Sequence, residues 1–371
     1  MHLLHVVGAR PNFMKAAPVL RALAAAGSVR QTSACQTSVR QTLVHTGQHY
    51  DFNMSDVFFQ QLKMPAPDVN LAVGPGSHAQ QTAEIMQRLE PVILDRAPDR
   101  VVVYGDVNST MAAALVCSKL ACSKLPVPVA HVEAGLRSGD RTMPEEINRI
   151  VTDQLADMLF TPSADGDQNL LREGISKDRI HCVGNVMIDT LVSLLPHAQP
   201  AADAPESGSY VLVTLHRPSN VDDLPWLGHL IEVLERVSGE RNVVFPVHPR
   251  TRERLKQLGF SQVSRQQFCL LDPLPYLDFL ALQKNAAVVV TDSGGIQEET
   301  TFLGIPCLTV RENTERPITT TLGTNKLVGR NVQRLEAEIH RAFTEPRPSS
   351  PQIPLWDGHA AERIAHILLN A

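Results

Sequence analysis

One stretch of the chain reads DSGGIQEE at residues 292–299. The apolar run 286–290 precedes it, and the helix-compatible run 296–303 continues beyond it. A strand, a glycine-containing turn and a helix in this order direct free backbone N–H groups and the positive end of a helix dipole toward an anion. Gly294 and Gly295 allow a phosphate to approach the backbone, because neither carries a Cβ atom. The stretch therefore predicts an α/β fold with an anion site, although an ordinary capped helix after a buried strand gives the same pattern.

Two polar side chains in this stretch indicate what kind of anion would bind. Ser293 is placed either to cap the helix or to donate its hydroxyl to the same phosphate. Glu299 lies more than one helical turn further along. A carboxylate at that position suits two neighbouring ribose hydroxyls better than a phosphate, so the ligand is expected to carry a ribose.

Strand-like apolar runs alternate with helical patterns through most of the 371 residues. This alternation predicts doubly wound parallel sheets. Strands are predicted at 3–7, 43–46, 100–104, 127–132, 158–161 and 179–183, and again at 210–214, 242–246, 268–271, 286–291 and 306–310.

Two polar breaks divide this pattern. Residues 196–209 are rich in Pro, Ala, Ser and Gly, and a second Pro-rich break at 344–354 precedes an amphipathic helix near 358–370. We therefore predict two Rossmann-like α/β domains that face a central cleft. The first comprises 1–183 plus 355–371, and the second comprises 184–354.

Composition argues against several classes of protein. With 34 Lys and Arg against 39 Asp and Glu, the net charge is −5, which does not favour a nucleic-acid or membrane-surface binder. No apolar run approaches the roughly 20 residues of a membrane span, and the first one is too short for a signal peptide. The six cysteines show no CxxC pair, which predicts reduced thiols, a cytoplasmic location and no metal site. No GxGxxG fingerprint appears, so a nicotinamide cofactor is not predicted.

Polar residues follow the predicted strands of the first domain. Arg10 and Lys15 come after the first strand and suit a phosphorylated ligand, although they would also fit an ordinary strand-to-helix turn. Asp106 and Glu133 each follow a strand, and Glu145 stands near the start of a helix. These three carboxylates are expected to meet at one sheet edge, where mutual repulsion would raise some of their pKa values toward those needed for acid/base work.

The carboxylate Asp106 has a second interpretation, as the cap of the helix that follows it. Asn108 is a competing cap candidate. Taken alone, the capping and catalytic interpretations of Asp106 are equally good.

Histidine–arginine pairs follow two strands of the second domain. His216 and Arg217 come after its first strand, and His248 and Arg250 come after the next. A lone histidine is usually structural, but two such pairs at corresponding positions favour phosphate binding with a group that titrates near neutral pH. Arg316 adds a cation after the last predicted strand.

Several of these residues belong to longer motifs that occur in order along the chain: GARPNFMKAAPV, TGQHYDFNMSDVFF, GDVNSTMAA, HVEAGLRSGDRTMPEEINR, GNVMIDTL, LHRPSN, VHPRT, TDSGGIQEET and TERP. With these motifs the chain resembles the non-hydrolysing UDP-N-acetylglucosamine 2-epimerases from residue 8 to about residue 329. The resemblance implies the GT-B-like fold shared with sugar-nucleotide glycosyltransferases, an active site in the cleft and a homodimer.

The resemblance also implies an isomerase that interconverts UDP-N-acetylglucosamine and UDP-N-acetylmannosamine. In this reaction UDP is eliminated to give a 2-acetamidoglucal and is then added back. No cofactor or metal is implied, the expected partner is the UDP-sugar, and cell-envelope polysaccharide synthesis is an expected use of the product. Inversion requires proton transfer on both faces of C2, and hence more than one acid/base group.

The resemblance also implies roles for individual residues. His216 is expected to stabilise or protonate the departing UDP, Glu299 to bind the ribose and Phe279 to lie beside the uracil. The catalytic residues implied are Asp106, Glu133, Glu145, His216, Lys15 and Arg149. The implied substrate-binding residues are Arg10, Lys15, His248, Phe279, Ser293, Gly294, Gly295, Glu299 and Arg316.

The chain departs from the family pattern in places. The run 47–50 reads GQHY where many substrate-regulated members have AQHR, which weakens the expectation of allosteric activation, and Ser219 replaces an acid. Short duplications, 28–32 repeated at 38–42 and 117–120 repeated at 122–125, are expected to lengthen loops or helix ends.

Other functions remain open at this stage. The alternatives are a 2-epimerase of a UDP-2,3-diacetamido uronic-acid sugar, a hydrolysing epimerase that releases UDP and N-acetylmannosamine, a glycosyltransferase of the same fold, and a non-catalytic UDP-sugar sensor.

Overall fold

A computed structural model describes residues 1–30, 39–48, 61–123, 125–202, 204–260, 267–347 and 349–370. The chain divides into two compact units. Unit 1 comprises Met1–Thr190 and Pro354–Ala371, and unit 2 comprises Leu191–Ile353. The domain limits expected from the sequence, with a boundary after 183, remain a prediction about which segments fold together.

Within the described residues, unit 1 contains a parallel sheet of seven strands in the order β3-β2-β1-β4-β5-β6-β7. Strands covered on both faces read as continuous apolar runs, and β4 (RVVVY) buries all but its first residue. The strands are β1 (His2–Val7), β2 (Arg40–His45), β3 (Val69–Asn70), β4 (Arg100–Tyr104), β5 (Val129–Val132), β6 (Met158–Thr161) and β7 (Ile180–Cys182).

Helices of unit 1 begin where the sequence supplies a start signal. Ser77 and Gln80 form a capping box at the start of the helix His78–Arg96, which buries Ile85, Leu89 and Ile93 at four-residue spacing. The helices are α1 (Arg10–Arg30), α2 (His78–Arg96), α3 (Asn108–Cys122), α4 (Pro144–Leu155), α5 (Ala164–Arg172) and, at the C-terminus, α14 (Ala360–Asn370). A further helix, α6 (Val186–Leu194), begins in unit 1 and ends in unit 2.

The C-terminal segment is bound to unit 1 by specific hydrogen bonds. Trp356 donates its indole N–H to the Pro162 carbonyl at 2.9 Å. Asp189 accepts from the backbone N–H groups of Ala360 at 3.1 Å and Ala361 at 2.7 Å. Asp189 thereby satisfies donors at the start of α14 that have no acceptor within the helix.

Unit 2 contains, in the part that is described, a parallel sheet of six strands in the order β10-β9-β8-β11-β12-β13. Its core includes Val211, Val213, Phe245, Val288 and Val290, which lie on three neighbouring strands. The strands are β8 (Tyr210–Thr214), β9 (Asn242–Pro246), β10 (Phe268–Leu271), β11 (Val288–Thr291), β12 (Cys307–Thr309) and β13 (Asn325–Leu327). The helices are α7 (Pro218–Val221), α8 (Leu224–Ser238), α9 (Pro249–Gln257), α10 (Tyr276–Asn285), α11 (Gly294–Leu303), α12 (Ile318–Thr321) and α13 (Val332–Thr344).

The predicted fold class, two doubly wound α/β units of GT-B-like type, is confirmed. Strands β4, β6, β8, β9 and β10 have the predicted bounds. The short strands β3 and β13 and the helix α6 were not predicted from the sequence. An apolar run such as VMIDTLVSL in α6 does not distinguish helix from strand by periodicity, and two- or three-residue strands carry too little pattern.

The two duplications lie partly outside the described residues. The copy at 28–32 begins in the last turn of α1, and 31–38 fall outside the described part of the chain. The copy at 117–120 lies within α3, and the second copy begins at Cys122, the last residue of that helix. The second duplication therefore begins within α3 and continues past its end.

Candidate active site

Lys15 and Glu133 form a buried ion pair in unit 1. Lys15 lies one turn into α1, which Arg10 begins, and Glu133 immediately follows β5. Their exposed fractions are 4% and 5%. The structure thus brings two predicted catalytic residues together, and the Lys15 ammonium binds the Glu133 carboxylate.

Glu133 has an uncommon backbone conformation. Its φ angle is +73°, in the left-handed region that non-glycine residues rarely adopt. The neighbouring N–H groups of Glu133 and Ala134 both donate to the Phe160 carbonyl at 3.0 Å, and this holds the turn in place. Such conformations cost on the order of 1–3 kcal/mol and cluster at functional sites, which is consistent with a carboxylate aimed for a purpose.

Gly105 joins the turn after β4 to the Lys15–Glu133 pair. Its φ is +62°, and a Cβ atom there would lie 2.5 Å from Lys15 Nζ and 3.1 Å from Glu133 Oε2. No larger residue fits this position without displacing the ion pair. Asp106, the next residue, is therefore presented at the end of β4, beside the end of the neighbouring strand β5.

Asp106 is held by the start of α4. Arg149, 1% exposed, lies 2.5 Å through Nη1 from Asp106 Oδ2 and 2.5 Å through Nη2 from Glu146 Oε2. Asn148 donates to the Asp106 carbonyl at 2.8 Å. The capping alternative for Asp106 and Asn108 is wrong, because the N-cap of α3 is Val107 and no side chain caps it.

Glu145 differs from the other two carboxylates. It is the second residue of α4 and is half-buried, and its side chain has no hydrogen-bond or ion-pair partner among the described residues. Its charge is favoured by the helix N-terminus. Asp106 and Glu133 each have a cation of their own, so the expected repulsion among the three carboxylates is largely offset.

His216 of unit 2 is oriented by Asp292. The fully buried Asp292 lies 3.0 Å from His216 Nδ1 and accepts from the N–H groups of His216 and Arg217 and from Asn220 Nδ2. Burial alone would raise the pKa of Asp292, but His216 and these donors hold it below its ordinary value. Asp292 therefore accepts a hydrogen bond from the N–H at Nδ1 of His216, which leaves Nε2 as the ring atom that can contact a ligand.

His248 lies beside His216, with 6.1 Å between their ring centroids. Its Nδ1 accepts from the Arg250 N–H at 3.3 Å and so caps α9. Burial, followed by the charges of His216 and Arg250, lowers the pKa of His248. A neutral ring whose Nδ1 accepts carries its proton on Nε2, so His248 can donate to an anion from there.

Arg316 lies against the first turn of α11. Ser293 occupies the N-cap position, but its side chain makes no capping bond, so the capping interpretation of this hydroxyl is wrong. A Cβ atom on Gly294 would lie 2.3 Å from Arg316 Nη1, and Arg316 also pairs with Glu315 at 2.6 Å and with Glu298 at 2.7 Å. The absence of a side chain at Gly294 thus makes room for the Arg316 guanidinium at the positive end of the helix.

Glu299 offers an acceptor at the expected ribose position. Its Oε1 accepts from the Tyr276 hydroxyl at 2.8 Å, whereas its buried Oε2 has no hydrogen-bond partner in the described chain. Burial raises the pKa of Glu299 to about 7. Phe279, on α10, is partly buried and packs against the core cluster that contains Leu282, so its position beside the uracil remains a prediction.

The described residues contain neither a metal cluster nor a membrane-spanning helix. No three His, Cys, Asp or Glu side chains are grouped there so as to bind a metal ion. None of the helices described is both long and apolar enough to cross a membrane.

Comparison with known proteins identifies the family. The family model described as UDP-N-acetylglucosamine 2-epimerase matches residues 33–369. The chain belongs to the UDP-N-acetylglucosamine 2-epimerase family. It is accordingly an isomerase, a carbohydrate epimerase.

Members of this family are similar to the chain over its whole length. The UDP-N-acetylglucosamine 2-epimerase of Methanocaldococcus jannaschii is 40% identical over 379 residues, with 99% of each chain covered. A crystal structure of the UDP-GlcNAc 2-epimerase of that organism, in complex with UDP-GlcNAc and UDP, matches with a TM-score of 0.86 and 38% identity over 100% of both chains. The UDP-2,3-diacetamido-2,3-dideoxy-D-glucuronate 2-epimerase of Pseudomonas aeruginosa is 39% identical, with 99% of each chain covered.

Sequence reasoning about this family member missed the residues that orient its site. Asp292 was part of the quoted stretch, and its place directly after β11 was the available signal. Glu315 precedes Arg316 in the TERP motif, but nothing in the sequence indicates that its side chain binds that neighbour. His49 and Tyr50 of the 47–50 departure lie outside the described residues.

Proposed function

We propose that the protein is a non-hydrolysing UDP-N-acetylglucosamine 2-epimerase that interconverts UDP-N-acetylglucosamine and UDP-N-acetylmannosamine. The observation that carries the proposal is the arrangement around Gly105 in unit 1, where Asp106 and Glu133 are each held by a cation while Glu145 has no cationic partner in the described chain. Family membership supports the UDP-sugar as the substrate class.

In the first half of the reaction, a carboxylate of unit 1 takes the proton from C2 of the sugar. The electron pair of that C–H bond forms the C1–C2 double bond, and the bond from C1 to the UDP oxygen breaks. The products are a 2-acetamidoglucal and UDP. Because a C–H next to an acetamido group is only weakly acidic, both a placed base and stabilisation of the departing diphosphate are needed.

In the second half, UDP adds back to C1 and a proton is delivered to the opposite face of C2. Two faces require two proton-transfer groups, and Asp106, Glu133 and Glu145 are the candidates. Lys15 and Arg149 hold Glu133 and Asp106 in place and balance charge as protons move.

Unit 2 holds UDP throughout the reaction. The donors for the diphosphate are Nε2 of His248, the first turn of α11 with Ser293, Gly294 and Gly295, and Arg316. His216 joins them through Nε2 in its imidazolium form. Arg10 of unit 1 is assigned to the same role. Glu299 accepts from the ribose hydroxyls through Oε2, which has no donor among the described residues, and Phe279 contacts the uracil.

Incubation with UDP-N-acetylglucosamine in D₂O tests this function. The expected result is deuterium at C2 in an intact UDP-sugar pool that contains both epimers. Stoichiometric release of free UDP would instead identify a hydrolysing epimerase, and binding without exchange would identify a sensor or a transferase lacking its acceptor.

A second candidate substrate is a UDP-2,3-diacetamido uronic acid. The Pseudomonas aeruginosa relative named for that substrate is nearly as similar to this chain as the N-acetylglucosamine relative. The same D₂O assay on both UDP-sugars decides between them, because the true substrate gives the larger kcat/KM.

We further propose a cytoplasmic homodimer that supplies N-acetylmannosamine units for cell-envelope polysaccharide. The cytoplasmic proposal is supported by the six cysteines without a CxxC pair. Light scattering on the purified protein tests the dimer, since a single species of about twice the chain's 40.7 kDa is expected.

A further inference from the structure

His131 is a fully buried residue of β5 to which no catalytic or binding role has been assigned. Both of its ring nitrogens face oxygen atoms. Nε2 lies 2.7 Å from the Gly105 carbonyl, and Nδ1 lies 2.6 Å from Asp153 Oδ1. A carbonyl oxygen can only accept a hydrogen bond, so Nε2 carries a proton.

Asp153 determines the state of the other nitrogen. Its Oδ2 accepts from the Gly135 N–H at 3.1 Å and lies 2.8 Å from Arg137 Nη2. Burial would raise the pKa of Asp153, but His131 and Arg137 hold it below its ordinary value. An ionised Asp153 accepts from Nδ1 of His131, and the ring that satisfies both acceptors is the imidazolium ion.

The contact with Gly105 belongs to a larger pattern. Three successive carbonyls at the end of β4 each accept from a side chain. The Tyr104 carbonyl accepts from Asn12 and Thr110, both at 2.7 Å, the Gly105 carbonyl from His131, and the Asp106 carbonyl from Asn148. Among these donors only His131 is a cation, and charge-assisted bonds of this kind are the stronger ones.

The same residue network reaches the second catalytic carboxylate. Asp153 holds the N–H of Gly135, two residues beyond Glu133, and His131 itself stands two residues before Glu133. The His131–Asp153 pair therefore touches both backbone turns that present Asp106 and Glu133. A side chain at 131 that cannot donate to the Gly105 carbonyl would release the turn that presents Asp106.

We propose that His131, as an imidazolium held by Asp153, is a positioning residue that aims Asp106 by binding the Gly105 carbonyl. The proposal rests on the proposed epimerase function. His131 does not touch the substrate; it acts by fixing the turn, and a catalytic group displaced by about 1 Å can lose on the order of 100-fold in rate.

Two substitutions separate the contacts of the ring. His131→Asn places an amide near the Nδ1 position and loses the bond to Gly105, whereas His131→Gln places an amide near the Nε2 position and keeps it. In the D₂O assay we expect His131→Asn to lower kcat for C2 exchange by about 100-fold with little change in KM, and His131→Gln to stay within about tenfold of the native enzyme. Tyr210→Phe, which removes a buried donor to the Leu282 carbonyl in unit 2, is the matched control and should keep native kcat.

The outcomes distinguish this proposal from the function on which it rests. Equal losses in the Asn and Gln variants, or a raised KM with native kcat, would overturn the positioning role. Absence of C2 exchange in the native enzyme would overturn the proposed function instead. If the variants do not fold, ¹⁵N-histidine NMR of the native enzyme decides: two ring N–H protons on His131, one of them close to the Gly105 α-protons, support the imidazolium, and a single ring N–H proton refutes it.

Discussion

The candidate functional side chains of unit 1 and unit 2 have opposite charges, although in both units they lie on turns after parallel strands. In unit 1 the candidate reactive groups are carboxylates, and cations hold them, as Lys15 holds Glu133 and Arg149 holds Asp106. In unit 2 the candidate ligand-binding groups are basic, and carboxylates hold them, as Asp292 holds His216.

This contrast shows how one architecture serves two tasks. A buried charge is costly unless it is paired, so each unit needs a counter-charge beside its candidate functional side chains. Cations that hold carboxylates leave an oxygen to move a proton, whereas carboxylates that hold basic groups leave N–H donors for a diphosphate. The counter-charge beside each group therefore determines whether the turn transfers protons or binds the diphosphate. Substitutions in unit 1 should lower proton exchange, whereas substitutions in unit 2 should impair His216 or UDP binding.

The largest effect is expected from Glu133→Gln in unit 1. The amide cannot take a proton, so C2 exchange should fall by about 1,000-fold, while UDP affinity, which is assigned to residues other than Glu133, changes little. Exchange is measured in D₂O and UDP binding by calorimetry. The control is Glu84→Gln, at an exposed ion pair with Arg88 in the same unit. Normal exchange in Glu133→Gln would remove Glu133 from the catalytic set.

Asp292→Asn should produce the next largest effect, in unit 2. His216 loses the anion that orients its ring, so kcat should fall roughly 100-fold. Because the amide still accepts from the backbone N–H groups, the fold should be retained. The exposed Asp272→Asn, which carries the same chemical change beside Arg252, should leave kcat unchanged. An equal loss in both variants would argue against the role of Asp292.

Gly294→Ala should have a smaller effect, concentrated on binding. The new Cβ would meet Arg316 Nη1 and Glu315 Oε1, so the guanidinium must move from the start of α11. UDP affinity should fall about tenfold, or about 1.4 kcal/mol, in calorimetry. Gly228→Ala is the matched control, since nothing lies within 4 Å of its Cβ position, and UDP affinity equal to that of the control would contradict this assignment.

Opposite dependences of stability on pH are expected in the two units, each no larger per pH unit than the effect of Gly294→Ala. Burial lowers the pKa of His5 in unit 1 from 6.5 to about 3, so the unfolded chain binds a proton that the folded chain does not, and stability falls as pH drops below 6.5. Burial raises the pKa of Glu299 in unit 2 from 4.5 to about 7, so the folded chain keeps a proton that the unfolded chain releases. Stability then falls as pH rises from 4.5 to 7.

Each of these groups contributes about 1.4 kcal/mol per pH unit within its window. Opening free energies from hydrogen exchange in β1 and in α11, corrected for intrinsic exchange rates, measure the two slopes separately. His5→Gln and Glu299→Gln should each flatten the slope of their own unit only. Unchanged slopes in the variants would show that other groups control the pH dependence.

The fold was largely predictable, because most of its helices and strands are marked by local sequence patterns. Strands such as β4 and β11 are uninterrupted β-branched runs, and glycine, proline and capping residues mark the turns between elements. The candidate residues at strand ends were equally visible, since the carboxyl ends of parallel strands meet at one edge. The edge strand β3 was not predicted, because two residues are too few to show a periodic pattern.

The sequence by itself determined the α/β class, the family and which chemical groups stand at the ends of the strands, because these depend on local pattern and on motifs. Only the tertiary structure decided the partners: Lys15 with Glu133 across 118 positions, His131 with Gly105 across 26 and Asp292 with His216 across 76. Pairing at such distances depends on how the strands are ordered in the sheet. The sequence of 292–299 thus predicts an anion site. The structure shows in addition that Asp292 contacts His216 and that Gly294 leaves space for Arg316.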